Sequence, residues 1–412
     1  MSLTINRDRL LSEIDALASY SDAEAPAVTR IVFTPTDLKA RAWMKARCEE
    51  AGLTVRQDAV GNTFARWNGS DPAAPVVGTG SHIDAIPNAG KYDGVVGVLG
   101  GLEAIRALRQ SGFHPKHSIE LTIFTSEEPT RFGIGCLGSR LLSGTVSADA
   151  ARKLTDSEGT ALDEVRRNAG FRGELEEVKL PVGYYAAFVE LHIEQGPLLE
   201  RQQIPLGIVT KIAAPASLRV LIEGTGGHAG GVLMPDRHDA LCAAAELILA
   251  IENAARTSGA VDTVATVGIC EVFPGAVNSI PSRVRLGVDI RDTDLQRRGV
   301  VMHALEAACH AISEKRRVSI RSELVNADAP AECAPAIIEA LSQSCRKHEL
   351  NFLSMVSRAY HDSLFIARIA PVAMLFIPCR NGYSHRPDEY AAPEDIVRGA
   401  LVLAETLAAL SK

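Results

Sequence analysis

The stretch TGSHIDAIPNAGKYDG, Thr79 to Gly94, decides how the rest of the chain is read. An apolar run, Pro75-Val76-Val77, leads into His82; Asp84 follows two residues later, and Asp93 sits in a loop bracketed by Gly90 and Gly94. A strand that ends on a histidine, with a carboxylate just beyond it, is suited to begin a metal site. The imidazole binds the ion, and the alternate-residue carboxylate of Asp84 can hold the ring's other N–H and fix its tautomer. Gly90 and Gly94 permit backbone conformations that other residues resist, so Asp93 can be turned inward. Alone, the stretch reads equally well as a strand followed by a solvated polar turn.

Three further stretches tip the balance. IELTIFTSEEPTRFG is an apolar strand, Ile119–Thr125, that runs into Glu127-Glu128. Adjacent carboxylates at a strand terminus repel each other unless a cation or a proton separates their roles. AAFVELHIEQGP is a second apolar strand, ending in His192 and Glu194 with Gln195 and Gly196 next. AMLFIPCRNGYSHRP is a third, passing Cys379 into a loop that carries His385. Ligand types at the ends of several strands of an open α/β sheet converge on one edge.

The whole chain, 412 residues, suffices for two domains and a substantial core. Its hydrophobic content of 46% and charged content of 23% are those of an ordinary globular protein. A formal net charge of -7 leaves no basic footprint for nucleic acid. The eight cysteines contain no C-x-x-C pair and fall mostly in apolar segments, so they read as reduced core residues of a cytoplasmic protein. The N-terminal segment is charged and helix-like without an apolar signal core, and no run of about 18 apolar residues suggests a membrane span.

In chain order, Leu10, Leu11, Ile14 and Leu17 recur at helical spacing, and a second helix runs from Thr36 as N-cap to Gly52. Two short strands occupy Thr54–Trp67, and Val95–Leu108 reads as a helix whose Gly97, Gly100 and Gly101 are costly unless backbone approaches closely. Residues 145–182 are polar and partly helical. From Ser217 the order is strand, helix (Asp236–Arg256), strand (Thr263–Phe273), strand (Val284–Ile290), helix (Asp294–Lys315) and strand (Val318–Val325), a compact α+β unit. Its strands form an antiparallel sheet with both helices on one face. Beyond Asp328 the βα alternation resumes and closes on a helix over Pro393–Leu410. The expected fold is thus α/β: residues 1–212 and 329–412 form a catalytic domain with a mixed, mostly parallel sheet. Residues 213–328 form an inserted α+β domain of ferredoxin-like order.

His82, Asp93, Glu128, His192 and His385 make a candidate shell of five mixed N and O ligands. That number exceeds a closed structural site and suits two divalent ions about 3.5–4 Å apart, with Asp93 as the bridge. Glu127, beside a ligand but aimed elsewhere, is the candidate general base. In the insertion, His228 and Asn278 can hydrogen-bond a developing oxyanion, and Arg291 suits bidentate capture of a carboxylate. Each of these three reads as readily as a capped turn or a surface ion pair. The Asp236-Arg237-His238-Asp239 run reads as a helix start, and the His361-Asp362 pair as a helix opening.

Taken together, the blocks GSHIDAIPNAGKYDG, EEPTRFGIGCLGSR, LHIEQGP, GGHAGGVLMPDRHDA, AVNSIP, DIRD and NGYSHRP resemble the amidase/hydantoinase–carbamoylase branch of the M20 metallopeptidase clan. Where carbamoylases and allantoate amidohydrolases of the branch carry a Ser-Gly-Ala-Gly-His-Asp-Ala block, this chain reads Ser357-Arg358-Ala359-Tyr360-His361-Asp362-Ser363. With that departure, the pattern looks most like the ureidoglycolate amidohydrolases. The resemblance implies one ion on His82, Asp93 and His192 and another on Glu128 and His385, with Asp93 shared. It implies Glu127 as acid/base, Asp84 as the orienter of His82, and Gln195, His228, Asn278 and Arg291 as substrate contacts. His228 would serve the neighbouring subunit of a homodimer formed through the inserted lid. Tyr360, His361 and Tyr383 offer polar tips to the pocket or simply cap and pack. Manganese is the metal favoured among such relatives; zinc, cobalt or nickel also suit the donor set. The implied reaction cleaves the ureido C–N bond of a small ureido acid, ureidoglycolate first, with N-carbamoyl-L-amino acids and allantoate as alternatives. A dipeptidase, or a clan member reduced to binding, is a more distant reading.

Overall fold

The computed structural model describes residues 3–412. The chain divides into two compact units, one formed by the chain up to Thr210, by Glu332–Ser357 and by His361–Lys412, the other by Lys211–Ala331 and Arg358–Tyr360.

The first unit is built on a nine-stranded mixed sheet. Seven of its strands lie in the spatial order Leu206–Ile212, Val372–Ile377, Tyr185–Ile193, Val76–His82, Ile119–Phe124, Thr63–Trp67, Thr54–Gln57. The four central strands are parallel, with Phe376 opposite His192 and His82 opposite Phe124. The flanking strands described by register are antiparallel, so "mostly parallel" holds for the centre of the sheet and not for its margins. Parallel strands need covering on both faces, and every residue of Val76–His82, Ile119–Phe124 and Val372–Ile377 is buried. Phe124, Tyr185, Phe188 and Val372 belong to a cluster continued by Leu137, Leu141 and Leu142. The helix Val95–Gln110 packs on this sheet, and Gly97 is what lets it: a Cβ there would lie 2.3 Å from the Leu191 carbonyl oxygen.

Two helix starts differ from expectation. The second helix spans Pro35–Glu50 and is capped by Thr34, whose side chain accepts from the Asp37 N–H, not by Thr36. Proline favours the first helical position and holds its predecessor extended, which makes Thr34 the cap. The helix expected from Asp236 begins at Ala240, because the Asp239 carboxylate accepts from the Leu241 and Cys242 N–H groups.

The second unit carries a four-stranded antiparallel sheet in the order Val264–Phe273, Arg283–Asp292, Ala214–Glu223, Ser319–Ala327. Numbered along the chain this is 2-3-1-4. Val284, Leu286, Val288 and Ile290 alternate inward and meet Ala243, Leu247, Val301 and Leu305 of the helices Ala240–Arg256 and Leu295–Arg316. A separate two-stranded ribbon pairs Gly227-His228 with Ser279-Ile280. All eight cysteines are free; six are buried, whereas Cys242 and Cys270 are exposed and not core residues. Among the described residues no helix is long and apolar enough to cross a membrane.

Candidate metal centre

All four stretches singled out in the sequence leave the C-terminal ends of the four central parallel strands, so the fold delivers them to one edge. His82 is the last residue of its strand, and His192 is one residue from the end of its own. Beyond Phe124 the backbone turns sharply, with Ser126 in the left-handed region at φ 56°, and presents Glu127 and Glu128. His385 also takes a left-handed φ, 60°, in the loop after Val372–Ile377.

Nε2 of His192 lies 3.2 Å from Asp93 Oδ1, and Nε2 of His82 lies 3.6 Å from the same oxygen. Nε2 of His385 lies 3.3 Å from the other oxygen, Asp93 Oδ2, and 3.3 Å from Glu128 Oε1. Two clusters able to hold an ion result, His82–Asp93–His192 and Asp93–Glu128–His385, sharing Asp93 by different oxygens. Bonds of about 2.0–2.2 Å to a tetrahedral ion place ligand atoms roughly 3.3–3.6 Å apart, so the spacings and the donor types fit divalent cations. Gly94 is required here: its φ is 66°, and a Cβ would fall 2.5 Å from the His82 ring.

The tautomers are set from behind. His82 Nδ1 is 3.0 Å from the Asp84 carbonyl oxygen and His192 Nδ1 is 2.9 Å from the Ile193 carbonyl oxygen. A carbonyl only accepts, so Nδ1 carries the proton in both rings and Nε2 is turned to the site. The Asp84 side chain was expected to do this for His82, but its nearest oxygen is 3.8 Å away. It accepts instead from the Glu127 and Glu128 N–H groups, at 3.2 and 3.0 Å, and so orients that turn.

A third group, Glu190, His192 and His361, is also close enough to hold an ion. Glu190, however, already accepts from Ser81 Oγ and from the Ser363 N–H and Oγ, so it serves as a buried anchor between segments.

Electrostatics follow from burying several carboxylates together. Burial pushes the Asp93 carboxyl up, but the imidazoles of His192, His385 and His82 outweigh it and hold it well below the usual range. Asp93 and Glu128 push the His385 imidazole up to about 11. Burial drives Glu127 well above its ordinary value, opposed by His82 and reinforced by Glu128. Glu127 Oε2 stands 3.8 Å from His82 Nε2, and the buried Cys136 thiol donates to Oε1 at 3.3 Å. A buried glutamate beside cation ligands can both take and give a proton near neutrality.

The remaining candidates fall in three places. Gln195, at φ 54°, donates to Asp93 Oδ2 at 2.7 Å and to Ser384 Oγ at 3.2 Å, so its amide bears on a candidate metal ligand. His361 is buried with its ring centroid 4.5 Å from that of His192, and Tyr383 lies under the Arg386 guanidinium, 3.9 Å from its ring centroid. In the second unit the ribbon brings His228 and Asn278 together: the Ala229 N–H donates to the Asn278 carbonyl at 2.9 Å. His228 Nδ1 accepts from the Gly230 N–H at 3.1 Å, which leaves Nε2 as its N–H donor. Arg291 pairs with Asp289 through Nε at 2.7 Å, and its guanidinium sits 5.6 Å from the Tyr360 ring centroid. Sequence reasoning passed over Ser384, Glu389, Cys136 and Glu190. Only Glu190 had a readable signal, being two residues before His192 and so on the same strand face.

The profile of Peptidase family M20/M25/M40 matches residues 78–409. The chain is 52% identical to a ureidoglycolate hydrolase of Arabidopsis thaliana over 417 aligned positions, covering 100% of this chain and 88% of the relative. It is 37% identical to an N-carbamoyl-L-amino-acid amidohydrolase of a Pseudomonas species, covering 98% and 99%. A crystal structure of AtUAH in complex with glyoxylate superposes with a TM-score of 0.91 at 52% identity, covering 100% and 99% of the two chains.

Proposed function

The chain belongs to peptidase family M20/M25/M40, and from that membership we propose that it is a two-metal amidohydrolase whose substrate is ureidoglycolate. The observation that carries the reading is the Asp93 carboxylate, one oxygen turned to His82 and His192 and the other to His385 beside Glu128. Two divalent ions held by these five side chains, manganese by preference, would polarise the ureido carbonyl and activate the attacking water.

The chain's own residues do the rest. Glu127 accepts the proton of the attacking water on its carboxylate and delivers it to the departing nitrogen, so that ammonia leaves neutral. Arg291, held by Asp289 and stacked on Tyr360, anchors the substrate carboxylate, while His228 Nε2–H and Asn278 donate toward the developing oxyanion. His361 and Tyr383 line the pocket, and Gln195 turns from Asp93 to substrate on binding. The inserted unit acts as lid and dimerisation module, with His228 serving the neighbouring subunit. Its exposed Ile269, Phe273, Leu324 and Val325 are apolar side chains that an interface would cover. The glyoxylate bound by AtUAH is the carbon skeleton that ureidoglycolate leaves once its nitrogens depart.

The test is a substrate panel on Mn²⁺-loaded protein: ureidoglycolate, allantoate, several N-carbamoyl-L-amino acids and a dipeptide, following ammonia and organic acid separately. A site that hydrogen-bonds the hydroxyl of ureidoglycolate rejects analogues without it, so kcat/KM for ureidoglycolate should exceed that for carbamoyl-alanine by at least about 10²-fold. A preference for an apolar carbamoyl amino acid would move the substrate assignment to the carbamoylases and leave the metal chemistry standing. For the dimer, mixing Glu127→Gln with His228→Ala subunits should restore part of the activity; a purely additive background after proven exchange places His228 in its own subunit's chemistry or outside it.

A further inference from the structure

Glu389 is a buried carboxylate, 5% exposed, four residues beyond His385. Its hydrogen bonds run to two segments. Oε1 accepts from the Tyr92 N–H at 2.8 Å and from the Asp93 N–H at 3.1 Å. Oε2 lies 2.9 Å from Ser384 Oγ, which also lies 2.6 Å from Asp93 Oδ2. Two loops whose residues are 297 positions apart in sequence are therefore joined through one side chain. Ser384 has a single proton and accepts from Gln195 Nε2 at 3.2 Å, so its own hydrogen bond is shared between the Asp93 and Glu389 carboxylates.

The packing is built for this approach. Gly90 does not need a left-handed backbone; it needs to lack a Cβ, which would stand 2.3 Å from the Cβ of Glu389. None of the groups that bind Glu389 is a cation. A buried carboxylate this close to a second one, satisfied by two N–H groups and a hydroxyl, is costly unless positive charge is nearby. The ions assigned to the neighbouring shell are that charge.

We propose that Glu389 is a positioning residue for the metal pair, clamping the Asp93 loop to the His385 loop so that the Asp93 carboxylate is held astride both ion positions. The inference rests on reading His82, Asp93, Glu128, His192 and His385 as the shell. A geometric clamp needs an acceptor for two N–H groups and a partner for Ser384, and a glutamine supplies both. An alanine supplies neither.

The experiment compares the full chain with its Glu389→Gln, Glu389→Ala and Ser384→Ala variants. Each is stripped by chelation and titrated with Mn²⁺ calorimetrically, and its metal content is read by elemental analysis after desalting. Metal-free melting curves run alongside. The parent and Glu389→Gln should hold two equivalents, with dissociation constants within about 3-fold of each other. Glu389→Ala should bind at least one ion about 10–100-fold more weakly, the usual effect of losing a side chain that orients a ligand. Its metal-free melting temperature should stay within about 4 °C of the parent, so that the loss is read in metal binding and not in gross unfolding. If Glu389→Ala does not fold, Ser384→Ala carries the test, since removing one donor to Asp93 Oδ2 should weaken binding about 10-fold. Parent affinity for both ions in Glu389→Ala overturns the proposal, as does Glu389→Gln binding as weakly as Glu389→Ala. A parent that never holds more than one ion overturns the shared-shell reading first.

Discussion

In the unit that carries His82, three of the central strands are buried along their whole length, whereas the Val264–Phe273 and Ser319–Ala327 strands of the inserted unit are mostly exposed. The difference decides how each unit presents polar chemistry. Between two covered faces an unmatched carboxylate or imidazole is costly, and Asp84, Glu190 and the two imidazole Nδ1 groups all have fixed partners. The result is a set of donors held in place before any ion arrives. The inserted sheet is covered on one face, and its candidates, His228, Asn278 and Arg291, stand on a ribbon and a strand end where water can satisfy them. The first unit preorganises charge, and the second leaves His228 and Asn278 open to solvent.

The sharpest way to probe the buried side is Glu127→Gln. The amide is nearly isosteric but cannot accept the proton, so kcat should fall about 10²–10⁴-fold with both ions retained. Near-normal turnover with full metal content would make Glu127 an orienting group and move the base elsewhere. The next contrast is in stability. Phe188→Ala, at a fully buried position of the parallel sheet, should cost about 3–5 kcal/mol in denaturant unfolding. Ile269→Ala, whose residue is 55% exposed, should stay within about 0.5–1 kcal/mol at low protein concentration. Equal losses at the two positions would erase the distinction. A loss at Ile269 that grows with protein concentration would mark the open strand as an interface.

A smaller effect concerns protons. Asp93 and Glu128 push the His385 imidazole up to about 11. A folded value above the unfolded one means that the stabilisation is complete below about pH 6.5 and is lost as pH rises through about 11. At neutral pH an ion must therefore displace that proton, because only the neutral imidazole is a ligand. Calorimetric Mn²⁺ titrations at pH 7 should give heats that vary with the ionisation enthalpy of the buffer, and apparent affinity should fall as pH falls. Buffer-independent heats would mean that the His385 proton is not displaced.

Much of this arrangement was legible because strand ends announce themselves. His82, Glu127-Glu128, His192 and His385 each follow an apolar run, and the parallel centre of the sheet brings those runs to one edge. The cost of Gly97 in a helix was readable as close packing, and the Leu191 carbonyl supplies it. What could not be read depends on turns. Asp84 sits two residues from His82, which suggested a carboxylate–imidazole pair; the tight turn at Ser126 instead brings two N–H groups to that carboxylate. The contact between Gln195 and Asp93 could not be read either, since it depends on the left-handed backbone of Gln195. The antiparallel strand Leu206–Ile212 was missed because it lies at the change between the two units, where Thr210-Lys211 interrupts the apolar pattern. Glu389 had no local signal at all, since its partners Tyr92 and Asp93 lie about three hundred residues earlier.

One sheet edge, buried at His82, Asp93, Glu128 and His192 and open at His385, is proposed to hold two ions through a shared Asp93. Crystals grown with Mn²⁺ and measured at its absorption edge test it directly. Two anomalous peaks are expected in each chain, about 3.5–4 Å apart, one beside His82 and His192 and one beside Glu128 and His385, with an Asp93 oxygen on each. A single peak, or two peaks that do not share Asp93, would contradict it.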